Sequence, residues 1–133
     1  MNTELTFHVR DFRDSGWYRI RTSFLTRFGS VLGPYGIAVY NGLCSFAHNT
    51  TQQCWPSFQT LADRCGMSRR QVRRVIKQLV SHRIICSENQ HRTNDAGRTI
   101  KTSNMYSLLA ETEWLDEAIE GEVPAGKPRF NVT

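Results

Sequence analysis

The sequence predicts a mostly helical α+β fold in which core helices are followed by a β-hairpin. Apolar residues recur at helical spacing in stretches between residues 34 and 80. Serines suited to capping stand before the last two of these stretches, with a glycine between them. After residue 83, two β-rich runs flank a turn-rich segment. A chain of 133 residues has the size of one domain and can bury a core without cross-links.

Residues 1–32 read as an N-terminal extension packed on that core. "WYRIRT" (Trp17–Thr22) alternates like a short strand, and "SFLTRFG" suits a helical turn starting at Ser23. The first full helix opens at "GPYG": Gly33 precedes it, and Pro34 suits a first turn that has N–H groups to spare. Ile37, Val39, Tyr40, Leu43, Cys44 and Ala47 cover nearly half its circumference, which predicts deep burial. Gly42 lowers helix stability and suits close packing. "NTTQQCWP" reads as a polar loop. Ser57 then caps a second helix whose Phe58, Leu61, Ala62 and Cys65 form one stripe, and Gly66 ends it in the left-handed conformation. Ser68 caps a third helix, and Gln71 three residues later completes a capping box.

On the third helix Val72, Val75, Ile76, Leu79 and Val80 lie within about 140° of arc. Arg70, Arg73, Arg74 and Lys77 occupy about 100° on the other side, with Arg69 at the N-terminal edge. Arg70/Arg74, Arg73/Lys77, Arg70/Arg73 and Arg74/Lys77 are like-charged neighbours, each destabilising by about 0.2–0.5 kcal/mol at low salt. A face meant only for solvent would carry glutamates among these cations. A polyanion turns the repulsion into binding energy by releasing counterions.

Beyond this helix "RIICSE" reads as a strand, "NQHRTNDAGRTIKT" as a connection with turn residues Asn94, Asp95 and Gly97, and "SNMYSLL" as the return strand. Arg92, Arg98 and Lys101 make the connection basic. Residues 110–122 read as an acidic amphipathic helix packed through Trp114, Leu115 and Ile119, and 123–133 as a flexible tail. Net charge is +5, yet residues 111–122 hold six acids and no base; without residues 111–133 the charge is +9. A basic body with an acidic tail is common in chains that meet nucleic acid.

Two short helices joined by a glycine turn, followed by a hairpin, follow the order of a winged helix-turn-helix, here over residues 33–109. Ala62, Gly66 and Val72 fit its alanine–x3–glycine–x5–β-branched spacing: a close helix crossing, a turn, and a plug between the helices. Leu61, Met67 and Val75 fill the other apolar positions. From Trp17 to Leu109, and most densely from Gly33 to Ile85, the sequence resembles the winged-helix domains of bacterial, plasmid and phage helix-turn-helix or replication-initiator-like proteins. That resemblance implies a DNA-binding fold in a family that includes replication initiators, replisome organisers and regulators of mobile elements. The long connection Glu88–Thr102 departs from a compact wing.

The geometry of such a fold sends residues 68–83 into the major groove of double-stranded DNA. Arg69, Arg70, Arg73 and Arg74 are the candidates for base edges, since arginine donates two hydrogen bonds to guanine. Ser68 and Gln71 stand at the same helix start, and Gln71 is divided between reading adenine and capping. Lys77 and Arg83 are expected at phosphates, and Ser57, Gln59 and Thr60 at the backbone through side chains and free N–H groups. Arg92, Arg98 and Lys101 are expected in the adjacent minor groove or at phosphates. Trp17, Trp55 and Trp114 are read as packing anchors, and Tyr40 as core.

Other chemistries are not expected. The N-terminal run lacks the apolar stretch of a signal peptide and nothing approaches a membrane span, so a cytoplasmic, nucleoid-associated protein is expected. Cys44, Cys54, Cys65 and Cys86 then read as reduced thiols that behave as small buried hydrophobes, not as disulfides. Cys44, His48 and Cys54 are the nearest approach to a metal set and lack a fourth ligand. His8, His48, His82 and His91 are scattered, and no phosphate-gripping glycine loop or paired carboxylates occur, so no catalysis, cofactor or small-molecule ligand is expected. A protein-interaction module on the same scaffold is the alternative, and a homodimer is left open.

Overall fold

The computed structural model describes residues 16–119. A long helix α1 (Thr22–Phe46) leads to a short strand β1 (Gln53–Cys54), then α2 (Phe58–Cys65) and α3 (Arg69–Ser81). Strands β2 (Ile85–Glu88), β3 (His91–Thr93), β4 (Thr99–Lys101) and β5 (Met105–Leu108) follow, then one 3-10 turn at Glu111–Glu113. This is the α+β winged helix-turn-helix architecture.

α1 is two helical pieces meeting at Gly33, whose φ of 71° and ψ of −174° lie outside the helical range. A positive φ there suits glycine, and Pro34 restarts the helix without a wasted N–H. The boundary expected at Gly33–Pro34 is thus real. The helix ahead of it is longer than the single turn expected, because Phe24, Phe28 and Leu32 form a buried stripe at i, i+4, i+8. Trp17–Arg21 is not a strand: its backbone joins no sheet, and Tyr18 donates its hydroxyl to Asn41 Oδ1 at 3.1 Å.

The core gathers Phe24, Phe28, Val39 and Leu43 of α1, Leu61 and Ala62 of α2, Val72, Val75 and Leu79 of α3, and Ile84, Tyr106 and Trp114. Gly42 lets α1 and α2 touch, since a Cβ there would meet Cys65 Sγ at 2.8 Å. Ser57 caps α2 by accepting from Thr60 N, and Gly66 ends it at φ 69°, ψ 43°. Ser68 caps α3 by accepting from Gln71 N. The return half of that capping box does not form, for Gln71 Oε1 accepts instead from Arg74 Nε at 3.5 Å.

The three-stranded sheet has the order β1-β5-β2, all antiparallel. Its edge strand β1 falls where a polar loop was expected; at two residues it is too short to show alternation, and pairing with Tyr106 and Ser107 creates it. The expected loop between β2 and β5 is itself ordered. β3 and β4 form a separate two-stranded ribbon, closed where Asn94 Oδ1 accepts from Ala96 N and Arg98 N and Gly97 takes φ 80°.

The acidic segment is not the helix expected over 110–122. After Glu111–Glu113 the chain runs without helix to residue 119, as a strap. Trp114 is the reason: its indole is buried against Phe24 and Phe28, and its Nε1 donates to Leu109 O at 3.0 Å. The strap then bonds to the end of α3, Leu115 N to His82 O and Ile119 N to Ser81 O. Leu115 itself stays exposed. The remainder of the expected helix, the tail 123–133 and His8 lie outside the described residues.

Candidate nucleic-acid interface

α3 positions the basic residues because its apolar side is fully used by the core. Val72, Val75 and Leu79 are 0% exposed, which fixes the rotation of the helix and turns Arg69, Arg70, Arg73, Arg74 and Lys77 outward. All five are exposed, and among the described residues none forms an ion pair with a carboxylate. The Arg73 guanidinium lies 5.2 Å from the centroid of the Phe58 ring, a cation–π contact that leans it toward the start of α2.

At that start Ser57, Gln59 and Thr60 are exposed. Ser57 Oγ donates to Thr60 Oγ1 at 2.9 Å, and Gln59 Nε2 donates to Asp63 Oδ1 at 2.8 Å. Thr60 N is taken by Ser57 Oγ, while the N–H groups of Phe58 and Gln59 have no intrahelical acceptor, as at any helix N-terminus. A cleft of about 470 Å³ opens here, lined by Ser57, Phe58, Gln59 and Arg69 on one side and Lys101, Thr102, Ser103 and Asn104 on the other. It joins the helix pair to the ribbon, a meeting of Arg69 and Lys101 that their separation in the sequence does not reveal.

Arg92, Arg98 and Lys101 are all exposed on the ribbon but do not share a face. Arg92 pairs with Ile100 and His91 with Lys101, so Arg92, Ile100 and Arg98 lie on one face and Lys101 on the other.

Arg83 is not at the surface. It follows the helix in the left-handed conformation, φ 57°, and is only 8% exposed, with Glu113 Oε1 at 3.5 Å from Nη2. α3 ends at Ser81, capped by His82, so the expected recognition segment 68–83 is two residues too long. The expectation failed because the strap, invisible as such in the sequence, covers this end. Arg27 pairs with Asp116 at 2.9 Å and Glu111 at 3.4 Å, and Arg21 with Glu111 at 3.4 Å. Glu111, Glu113 and Asp116 of the strap are thus spent on arginines away from the open face of α3. Arg64 is engaged as well, donating to Ser45 Oγ at 3.1 Å and stacking 3.9 Å from the Phe46 ring centroid.

Of the three tryptophans only Trp114 is a packing anchor; Trp17 and Trp55 are about half exposed. Cys44 and Cys54 are buried, and burial pushes both thiols up to about 12, far from the thiolate that metal binding needs. His48 is exposed and accepts from Thr50 N at 3.2 Å through Nδ1. Among the described residues no helix is long and apolar enough to cross a membrane.

No curated protein matches the chain. A family model does: residues 32–85, from the end of the first piece of α1 to the start of β2, match that of a helix-turn-helix domain. The kinked arm of α1, the ribbon and the strap lie beyond the matched residues. Over residues 32–85 the chain is thus similar to a helix-turn-helix domain, and a domain of this kind suggests DNA as its partner.

Proposed function

We propose that this protein binds double-stranded DNA at specific sequences, with α3 in the major groove, and acts as a replication-initiator-like or transcription-regulatory protein of a bacterium, plasmid or phage. The observation that carries the reading is the face Arg69, Arg70, Arg73, Arg74 and Lys77, open to solvent and without a carboxylate partner among the described residues, on the second helix of a helix-turn-helix pair. Arg69, Arg70, Arg73 and Arg74 read base edges, with guanine the favoured partner. Ser68 sets the helix start, and Gln71 lies beside Arg74 rather than closing its cap. Lys77 meets a phosphate.

The cleft between α2 and the ribbon takes the sugar–phosphate ridge that separates the major groove from the adjacent minor groove. Ser57, Gln59, Thr60 and the open N–H groups meet it from the helix side, Lys101 from the ribbon. On this reading the protein works by binding and not by catalysis, needs no cofactor, and resides in the cytoplasm at the nucleoid.

Selection of bound duplexes from a random-sequence pool, followed by anisotropy titration, tests it. A G-containing consensus is expected, and a palindromic one means that two copies bind together. Recovery of no consensus, with salt-independent affinity, refutes sequence-specific DNA binding and leaves a protein partner for the same face.

A further inference from the structure

Resting on that reading, we infer that the outer face of the ribbon is a minor-groove wedge: Ile100, flanked by Arg92 and Arg98, enters a base step and bends the duplex. Every residue of β3 and β4 is exposed, so Ile100 belongs to no core, and it is 37% exposed on an otherwise polar hairpin. Register places it opposite Arg92, and Arg98, two residues before it, shares its face. Asn94 and Arg98 close the ladder below the turn, Asn94 N donating to Arg98 O at 2.8 Å, which holds both arginines on a fixed frame.

The two faces of the ribbon then divide the work. Lys101 lies on the face that lines the cleft with Ser57 and Arg69. With the phosphate ridge seated in that cleft, the opposite face of the ribbon lies inside the minor groove. Two guanidiniums suit the negative potential of a narrow minor groove, and a branched apolar tip between them suits insertion at a base step. Such wedges unstack a step and kink the duplex by about 20–90°. Pyrimidine–purine steps yield most easily, so one is enriched at a fixed offset from the major-groove motif.

Strand propensity alone also accounts for an isoleucine in β4, and the choice of variants separates the two. Ile100→Thr keeps the branched Cβ and removes the apolar tip, while Ile100→Leu keeps an apolar tip. The probe is a selected duplex about three helical turns long, labelled at both ends for energy transfer, with affinity measured on the same samples. Wild type raises the transfer efficiency at saturation. Ile100→Thr loses about half or more of that rise with less than about a tenfold loss of affinity, and Ile100→Leu retains it. Binding without bending, bending unchanged in Ile100→Thr, or an Ile100→Leu variant that behaves like Ile100→Thr overturns the wedge while DNA binding stands. Wild type that binds no duplex from the pool overturns both.

Discussion

Arg64 and Arg73 show how differently two arginines of one domain are employed. Arg64 is tied to Ser45 and stacked on Phe46, whereas Arg73 lies against Phe58, stays exposed and makes no ion pair among the described residues. Arg73→Ala is therefore expected to weaken a selected site by about 1–3 kcal/mol, while Arg64→Ala leaves anisotropy-measured affinity nearly unchanged. Arg83 is a third case. Its charge is buried, its Nε and Nη2 find no hydrogen-bond acceptor, and Glu113 is its counter-ion. Glu113→Ala should cost about 3 kcal/mol in urea unfolding by stranding that charge. Adding Arg83→Gly should recover most of the loss, since glycine removes the charge and accepts the left-handed backbone. The thiols of Cys44 and Cys54 set a pH limit. Their folded-state values, near 12, lie above the unfolded value of a cysteine, so the stabilisation is complete below about pH 8.5. Between there and about pH 12 the unfolded chain ionises first, and each thiol withdraws up to about 1.4 kcal/mol per pH unit. Thermal midpoints should fall through that window, and less steeply in Cys54→Ala.

At the scale of the element, the strap is the structure's main addition to the helix-turn-helix pair. It joins the first piece of α1 to the end of α3 through Trp114 against Phe24 and Phe28, and through the bonds from Leu115 and Ile119. Trp114→Ala is expected to destabilise by about 3–5 kcal/mol, because it empties a buried aromatic site. Circular dichroism melts read that loss, and DNA affinity below the new midpoint should stay within a few-fold of wild type. The elements that were legible are those with local signals: Ser57, Gly66 and Ser68 mark helix ends by their own chemistry, and the stripe Val72, Val75, Ile76, Leu79 fixes one face of α3. The strap and β1 were not legible. Glu111 to Glu120 has helical spacing, but a single buried indole and two long-range backbone bonds outweigh that local preference, which is weak in so short a segment. Likewise nothing near Arg83 announces that Glu113 will meet it.

For the whole molecule, the candidate interface was legible as a list of cations and not as a shape. The five basic residues of α3 follow from periodicity alone, whereas the cleft that unites Arg69 with Lys101, and the split of Arg92 and Arg98 from Lys101, depend on how the ribbon leaves the sheet. Binding should be steeply salt-dependent, log K falling by about 0.9 for each phosphate neutralised against log salt. Lys77→Ala should lower that slope by about one phosphate equivalent and leave the consensus unchanged, as read from titrations across a salt series. The placement of Glu111, Glu113 and Asp116 against Arg21, Arg27 and Arg83 has a kinetic consequence as well. Charge at the strap cancels locally while the guanidiniums of α3 stand uncompensated, so among the described residues positive charge is concentrated on one side and gives the molecule a permanent dipole. In the field of a polyanion it feels a torque before any contact, and so arrives at the double helix already turned the right way round.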